Sequence, residues 1–364
     1  MGALPRKERM LNDHLDERAE YPYGRRDLTD EVTFYAVSDE RFFVGMVGLI
    51  NSLRLMGYEQ RVVVLDCGLT EHQRNVLNPE CELVVLPDSQ ALNPQLLKPF
   101  ANLMHPKGTV VILDSDLVIT RPLDPMLQAA RNGKVCVCAD PESERWFAEW
   151  EQLFGLPRAP RHQRYVSSGF VAFSVEYWPD LLPRWWDFCQ RIRSYPTIFH
   201  GASDSPTAQA DQDALNAILM SEWPEETLAM QPQEVQPSMK QLRWHVRLLD
   251  IDTLSCSLHG WPVTLVHPPD KTKPFERQWW TDQGRSPYPA LLRRLLVGQD
   301  VRVRVARDDV PIWIRPGRLG AVVTRNLYMI NGLRFGRIRE RLRRWRFLRL
   351  AYKFLRGRLD GTRG

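Results

Sequence analysis

The chain has 364 residues, 43% hydrophobic and 26% charged, and its 49 Lys or Arg against 44 Asp or Glu give a formal net charge of +5. This is globular composition, with ample sequence for one large α/β domain or two ordinary ones. Six cysteines (Cys67, Cys81, Cys136, Cys138, Cys189 and Cys256) are scattered among apolar residues without a Cys-x-x-Cys pair, which argues against a disulfide framework and a zinc site.

The charge is uneven. From Arg334 to Gly364 twelve basic residues stand against two acids, whereas positions 1–333 hold 37 basic and 42 acidic residues. Met1-Gly2-Ala3-Leu4-Pro5-Arg6 has no apolar signal-peptide core, and Arg6 stands where a myristoylation signal has Ser or Thr. No apolar run approaches the roughly eighteen residues that span a bilayer. The expected location is therefore cytoplasmic, free or peripheral on the membrane face.

In chain order, residues 1–30 are charged, contain the turn signals Tyr21-Pro22-Tyr23-Gly24, and read as an extension with little core. Val32 to Val37 is a first strand, Ser38-Asp39-Glu40 a loop, and Phe43 to Met56 a helix closed by Gly57. Arg61 to Asp66 is a second strand, Thr70 to Leu77 a short helix with Thr70 as N-cap, and Glu82 to Leu86 a third strand. Thr109 to Leu113 is an apolar, β-branched run that reads as a strand buried on both faces. After a turn at Pro122-Leu123-Asp124-Pro125 and a short helix, Lys134 to Ala139 returns as a strand. Val166 to Ser174 is a further strand, interrupted at Ser167-Ser168-Gly169. Tyr177 to Arg193 and Asp211 to Met220 read as helices, and Pro262 to Val266 as a strand that ends at His267. The alternation of strand and helix predicts a mostly parallel, doubly wound α/β sheet flanked by helices.

Such sheets bind ligands at the C-terminal ends of their strands. The run 109–113 ends there in Asp114-Ser115-Asp116, whose carboxylates, two residues apart in an extended segment, would point the same way and share one hard cation. The spacing is not unique, because Asp211-Gln212-Asp213 and Asp250-Ile251-Asp252 repeat it. A helix cap or a solvated strand end accounts more simply for any one of the three taken alone.

Taken together, several ordered motifs resemble the glycosyltransferase family 8 enzymes, which include glycogenin and bacterial lipopolysaccharide galactosyl- and glucosyltransferases. Phe34-Tyr35-Ala36-Val37-Ser38-Asp39 is similar to the family's opening strand, which holds the nucleoside and so implicates Ala36, Ser38 and Asp39. Lys98 lies near the position of a basic residue that reaches the sugar nucleotide. Leu113-Asp114-Ser115-Asp116-Leu117 looks like the metal-binding Asp-x-Asp, and Tyr165-Val166-Ser167-Ser168-Gly169 like a Tyr-Phe-Asn-Ser-Gly segment. Asp211-Gln212-Asp213-Ala214-Leu215-Asn216 matches Asp-Gln-Asp-x-Leu-Asn. His267 to Phe275 is similar to His-Phe-x-Gly-x-x-Lys-Pro-Trp, with His267, Lys273 and Pro274 at the family spacing. Ser38, Ser167 and Asp270 depart from the usual aspartate, asparagine and glycine.

The resemblance covers residues 31–280 or so and implies a GT-A fold and a retaining, metal-dependent transferase. The implied donor is a nucleotide-sugar, usually a UDP-hexose, and the implied acceptor a glycan or a lipid-linked glycan. Asp114, Asp116 and His267 would hold Mn²⁺ or Mg²⁺, with imidazole favouring Mn²⁺. Ala36, Ser38, Asp39, Lys98, Ser115, Ser167, Ser168 and Lys273 would contact the donor, and Asp211, Gln212 and Asp213 would flank the anomeric carbon. Other readings are an inverting GT-A enzyme, with Asp213 or a nearby acid as base, and a nucleotide-sugar-binding protein without turnover.

The expected organisation is an extension (1–30), a catalytic domain (31–285), an accessory region (286–333) and a basic tail (334–364). In the tail Phe335, Ile338, Leu342, Trp345, Leu348, Tyr352, Leu355 and Leu359 recur at three- and four-residue steps between arginines, the pattern of an amphipathic helix suited to an anionic membrane surface. The acidic body and the lack of a recognition fold argue against nucleic acid.

Overall fold

The computed structural model describes residues 31–86, 93–198, 204–237, 240–268, 273, 275 and 286–311, all in the first of two compact units, Met1–Pro316 and Gly317–Gly364. The extension 1–30, positions 312–333, the basic tail 334–364, Pro274 and Asp270 lie outside the described residues.

The strands are β1 (Val32–Ser38), β2 (Arg61–Asp66), β3 (Glu82–Val84), β4 (Thr109–Leu113), β5 (Val118–Ile119), β6 (Val135–Ala139), β7 (Val166–Ser174), β8 (Leu228–Gln231), β9 (Val246–Asp250), β10 (Ser255–Leu258), β11 (Trp261–Val263) and β12 (Leu265–Val266). Seven of them form the central sheet, in the order β3-β2-β1-β4-β7-β6-β8. It is mostly parallel, as the alternating pattern predicts, but β7 runs against both of its neighbours. Helices α1 (Phe43–Leu55), α2 (Glu71–Leu77), α3 (Asp124–Arg131), α4 (Trp150–Phe154), α5 (Leu181–Arg191), α6 (Asp211–Ser221), α7 (Lys240–Arg243) and α8 (Tyr288–Val297) complete it, with a 3-10 helical segment over Pro94–Met104.

Strand alternation divides the core into two layers. Phe34, Ala36, Val62, Val64, Val111 and Leu113 pack with α1, α3 and α8, while Tyr35, Val63, Leu65, Val110 and Ile112 pack with the 3-10 segment, α4, α5 and α6. Every residue of β4 is buried. Each of its aliphatic side chains contributes about 1.5–3 kcal/mol by leaving water, so the strand that leads to Asp114 is anchored on both faces. Helix α1 is buried almost all round, and Gly57 (φ 85°) ends it by donating its N–H to the Arg54 carbonyl. Its Asn51 acts as a substitute peptide group. The Asn51 amide donates to Leu295 and Val303 carbonyls and accepts from the N–H groups of Arg302 and Val303, which docks α8 and the 301–305 segment on the helix.

Three elements differ from expectation. The helix expected from Tyr177 starts at Leu181, because Pro179 disfavours helical backbone at Trp178. The segment 262–266 is two strands in two sheets, β11 pairing with β10 and β12 with β5. Strand β7 is continuous against β4, and its irregularity lies on the β6 side. There the register jumps from Val137↔Val171 to Cys138↔Ser167, so Ser168, Gly169 and Phe170 bulge away from β6.

Candidate functional site

The C-terminal ends of β1, β4 and β6, the start of β7, the 3-10 segment and the first turn of α6 enclose a cavity of about 700 Å³. Its lining includes Val37, Asp39, Phe42, Asn93 and Lys98, then Asp114, Ser115, Asp116, His267 and Lys273, and also Asp140, Glu142, Ser167, Ser168, Asp211 and Gln212.

Asp114 and Asp116 converge through a turn rather than through a pleat. Asp114 leaves β4 with its N–H on the Gly169 carbonyl (2.9 Å), and the Leu117 N–H closes back on the Asp114 carbonyl (3.1 Å). Helix α1 lies directly behind this turn, where a Cβ on Gly45 would stand 2.9 Å from the Ser115 carbonyl oxygen. His267 arrives from about 150 residues away on a two-stranded ribbon. Strand β5 follows Asp116, β12 precedes His267, and the antiparallel pairs Leu265↔Ile119 and Val266↔Val118 bring the imidazole back over the turn. Its Nε2 lies 3.3 Å from Asp114 Oδ2 and 3.2 Å from Asp116 Oδ1. One ligand atom from each of the three residues falls within 4.8 Å of the others, the only such cluster among the described residues. Asp116 Oδ2 is buried without a hydrogen bond of ordinary geometry, although the Lys273 ammonium lies 2.7 Å away. Two carboxylates and an imidazole whose ligand atoms converge in this way suit a divalent cation. Gly169 keeps the space clear, since a Cβ there would lie 3.0 Å from Asp114 Oδ2 and 3.3 Å from His267 Cε1.

Two lysines compensate the carboxylates. Lys98 Nζ contacts Asp114 Oδ1 (2.6 Å), Asp211 Oδ2 (3.1 Å) and Ser168 Oγ (3.1 Å). Lys273 Nζ donates to the Pro268 carbonyl (2.8 Å) and lies over the Phe42 ring. Burial alone would raise the Asp114 and Asp116 carboxyls, but Lys98 beside the first, Lys273 beside the second and His267 beside both hold them below the usual range. Burial would likewise lower His267, and the two carboxylates outweigh it and raise the imidazole. Asp211 is raised by burial, with Lys98 opposing.

The Asp211-Gln212-Asp213 segment starts α6 after Ala210, which is held at φ 50°. Asp211 and Gln212 face the cavity and Asp213 does not. The Arg145 guanidinium grips Asp213 at 2.7 and 2.8 Å, and Tyr165 Oη and the Gln209 N–H also donate to it. Asn216 bonds both the N–H and the carbonyl of Val166, so the helix is bolted to the start of β7. Gln212 is held edge-on, its Oε1 accepting from the Ser168 N–H (3.0 Å) and its Nε2 donating to Asp140 Oδ2 (3.1 Å).

Of the expected contacts Ala36, Ser38 and Asp39, Asp39 faces the cavity and the other two do not. Val37 and Asp39 line the cavity, whereas Ala36 and Ser38 are buried beside it. Asp39 also accepts the Phe42 N–H ahead of α1, and burial raises its carboxyl. Ser115, Ser167 and Ser168 line the cavity. Sequence reasoning missed Asp140, whose carboxyl burial pushes up to about 6. Its signal was the one that marked Asp114, a carboxylate that ends an apolar strand. Arg145, which holds Asp213, carried no comparable signal. Asp250 and Asp252 form a surface turn in which Asp250 Oδ1 accepts the Asp252 N–H (2.9 Å).

No described helix is long and apolar enough to cross a membrane. No family model and no curated protein matches the chain. Among solved structures it is similar to the galactosyltransferase LgtC in complex with donor and acceptor sugar analogs, at 15% identity and a TM-score of 0.48 over 71% of this chain and 95% of that one. An active-site mutant of LgtC gives 15% identity and a TM-score of 0.47 over the same shares. The bifunctional glycosyltransferase WbbM gives 13% identity and a TM-score of 0.47 over 74% of this chain and 50% of that one. Likenesses this distant leave the reaction to be argued from the residues.

Proposed function

We propose that this chain is a glycosyltransferase of the GT-A type that moves a hexose from a nucleotide-diphosphate sugar to a hydroxyl of a glycan or lipid-linked acceptor. The observation that carries the reading is the convergence of Asp114, Asp116 and His267, with Lys98 and Lys273 beside them, on one large cavity at the strand ends. The ordered motifs of family 8 enzymes favour the same assignment. A divalent cation held by the three residues, Mn²⁺ by the preference of imidazole, would supply charge stabilisation for the departing diphosphate. Lys273, beside Asp116, would add a positive charge on the phosphates, and Lys98, between Asp114 and Asp211, would tie the metal ligands to the sugar side. Gln212, held at both ends of its amide, would present a fixed dipole beside the reacting sugar.

Retention of configuration is the expectation from the family motifs. The inverting alternative gains one specific support. Asp140 faces the cavity with its carboxyl near 6, suited to accepting a proton from an acceptor hydroxyl, whereas Asp213 is committed to Arg145. A peripheral location at an anionic membrane, through the tail 334–364, belongs to the same proposal. It is tested by liposome sedimentation against a chain ending at Gly332, where equal sedimentation removes it.

The deciding assay is nucleotide release from a panel of UDP- and GDP-sugars with Mn²⁺, with the product anomer read by NMR. Metal-dependent release that Asp116→Ala abolishes supports the enzyme. Nucleotide binding without release from any sugar in the panel would leave a binding protein, and an inverted product would move the base role to Asp140.

A further inference from the structure

We propose that Gln236 is a positioning residue for the metal centre, its side-chain oxygen accepting the Nδ1–H of His267 and so aiming the Nε2 lone pair at the cation. This rests on the metal reading above. The imidazole presents Nε2 to Asp114 and Asp116. A neutral imidazole that ligates through Nε2 must carry its proton on Nδ1, and that proton needs an acceptor in a buried site. Gln236 is the group 3.3 Å from Nδ1.

In the structure the Gln236 amide turns Nε2 toward Nδ1, while its Oε1 is buried with no hydrogen-bond partner. A half-turn about the last side-chain bond exchanges two ends of nearly equal size. It places Oε1 against Nδ1–H and gives the orphaned oxygen its partner. The opposite arrangement, with the amide nitrogen donating to a bare Nδ1, would leave the proton on Nε2, where it blocks ligation.

The two residues are also fixed against each other by backbone. The Val235 carbonyl accepts the N–H groups of both Thr264 and Leu265, at 3.0 Å each, so the residue before Gln236 is tied to the strand that ends at His267. Gln236 and His267 are both buried, at 1% and 6% exposure. Gly169 leaves room for both side chains, as a Cβ there would stand 3.3 Å from Gln236 Nε2 and from His267 Cε1. Nothing in the motif pattern singles out Gln236, which lies in the polar stretch Gln231-Pro232-Gln233-Glu234-Val235-Gln236-Pro237.

The experiment titrates Mn²⁺ into full-length wild type, Asp116→Ala, Gln236→Met and Gln236→Glu, reading free Mn²⁺ by electron paramagnetic resonance, with a thermal melt of each variant. Removing the acceptor in Gln236→Met is expected to weaken binding by roughly 10- to 100-fold, the usual effect of losing a partner behind a metal-bound histidine. Gln236→Glu keeps an acceptor and is expected to bind at least as tightly as wild type. It therefore decides the matter even if the methionine variant melts early. Long-range ¹H–¹⁵N spectra of the Mg²⁺-loaded wild type should show His267 protonated at Nδ1. Undiminished affinity in Gln236→Met, equal loss in both Gln236 variants, or a proton on Nε2 would overturn the role of Gln236. Absence of Mn²⁺ binding in wild type, or wild-type affinity in Asp116→Ala, would instead overturn the metal reading itself.

Discussion

Asp114-Ser115-Asp116 and Asp211-Gln212-Asp213 have the same spacing and border the same cavity, yet they do opposite things with their second carboxylate. In the first, a turn after β4 folds both acids toward His267. In the second, the first turn of α6 rotates each residue by about 100° from the last, so Asp211 meets Lys98 and Asp213 meets Arg145 on the far side. The third pair, Asp250 and Asp252, closes a surface turn on itself. A two-residue spacing therefore carries no chemistry of its own. The backbone between the acids decides whether their carboxylates converge, diverge, or close a loop.

The largest expected effect is on stability. Asp213 is buried and the Arg145 side chain largely so, at 7% exposure, and Asp213→Ala leaves the guanidinium without its main counter-charge, which costs about 3–5 kcal/mol for a buried pair. Urea unfolding should show that loss, whereas Asp252→Ala, on the exposed turn, should leave the midpoint close to wild type. If the two variants unfold alike, the Arg145–Asp213 clamp does not hold the fold. Next in size, Gly169→Ala places a Cβ 3.0 Å from Asp114 Oδ2 and against His267 Cε1, and should weaken Mn²⁺ binding by roughly tenfold or more. Gly45→Ala, behind the same turn, should act in the same direction, as a Cβ there meets backbone 2.9 Å away.

Asp140 sharpens the comparison through pH. Burial raises its carboxyl to about 6, above the unfolded value near 4, so the fold favours the protonated form. Its contribution to stability is full below pH 4 and is lost as pH rises through 6. If the carboxylate orients or deprotonates the acceptor, nucleotide release should rise through pH 6. Asp140→Asn should remove that limb of the pH profile and also the accompanying decline in stability. An unchanged profile would separate Asp140 from the reaction. At the small end, Asp252→Ala on the exposed turn should change stability by no more than about 0.5 kcal/mol and leave metal binding untouched.

Much of the scaffold is legible in the chain because its elements are long and periodic. β1, β2, β4 and β6 are continuous apolar runs, and α2 opens with Thr70 and Gln73 in a reciprocal capping box. The ends of those strands also point to Asp114 and, read consistently, to Asp140. What escapes is either short or tertiary. The β5–β12 ribbon that delivers His267 is two residues a side, too short for any periodicity. The 3-10 segment that carries Lys98 starts with Asn93 capping the Gln95 N–H and bends at Pro99, so its pattern is not that of an α-helix. The commitment of Asp213 to Arg145 depends on a loop 68 residues away. That Val37, rather than Ala36 or Ser38, joins Asp39 at the cavity turns on a single residue of parity.

The central claim is that one of three equal spacings forms a metal centre and the others do not. Its most direct test is Mn²⁺ titration of wild type, Asp116→Asn and Asp252→Asn under one set of conditions. The account predicts one tight Mn²⁺ per chain in wild type and Asp252→Asn, with that binding lost in Asp116→Asn. Equal binding by all three proteins, or none by wild type, would contradict it.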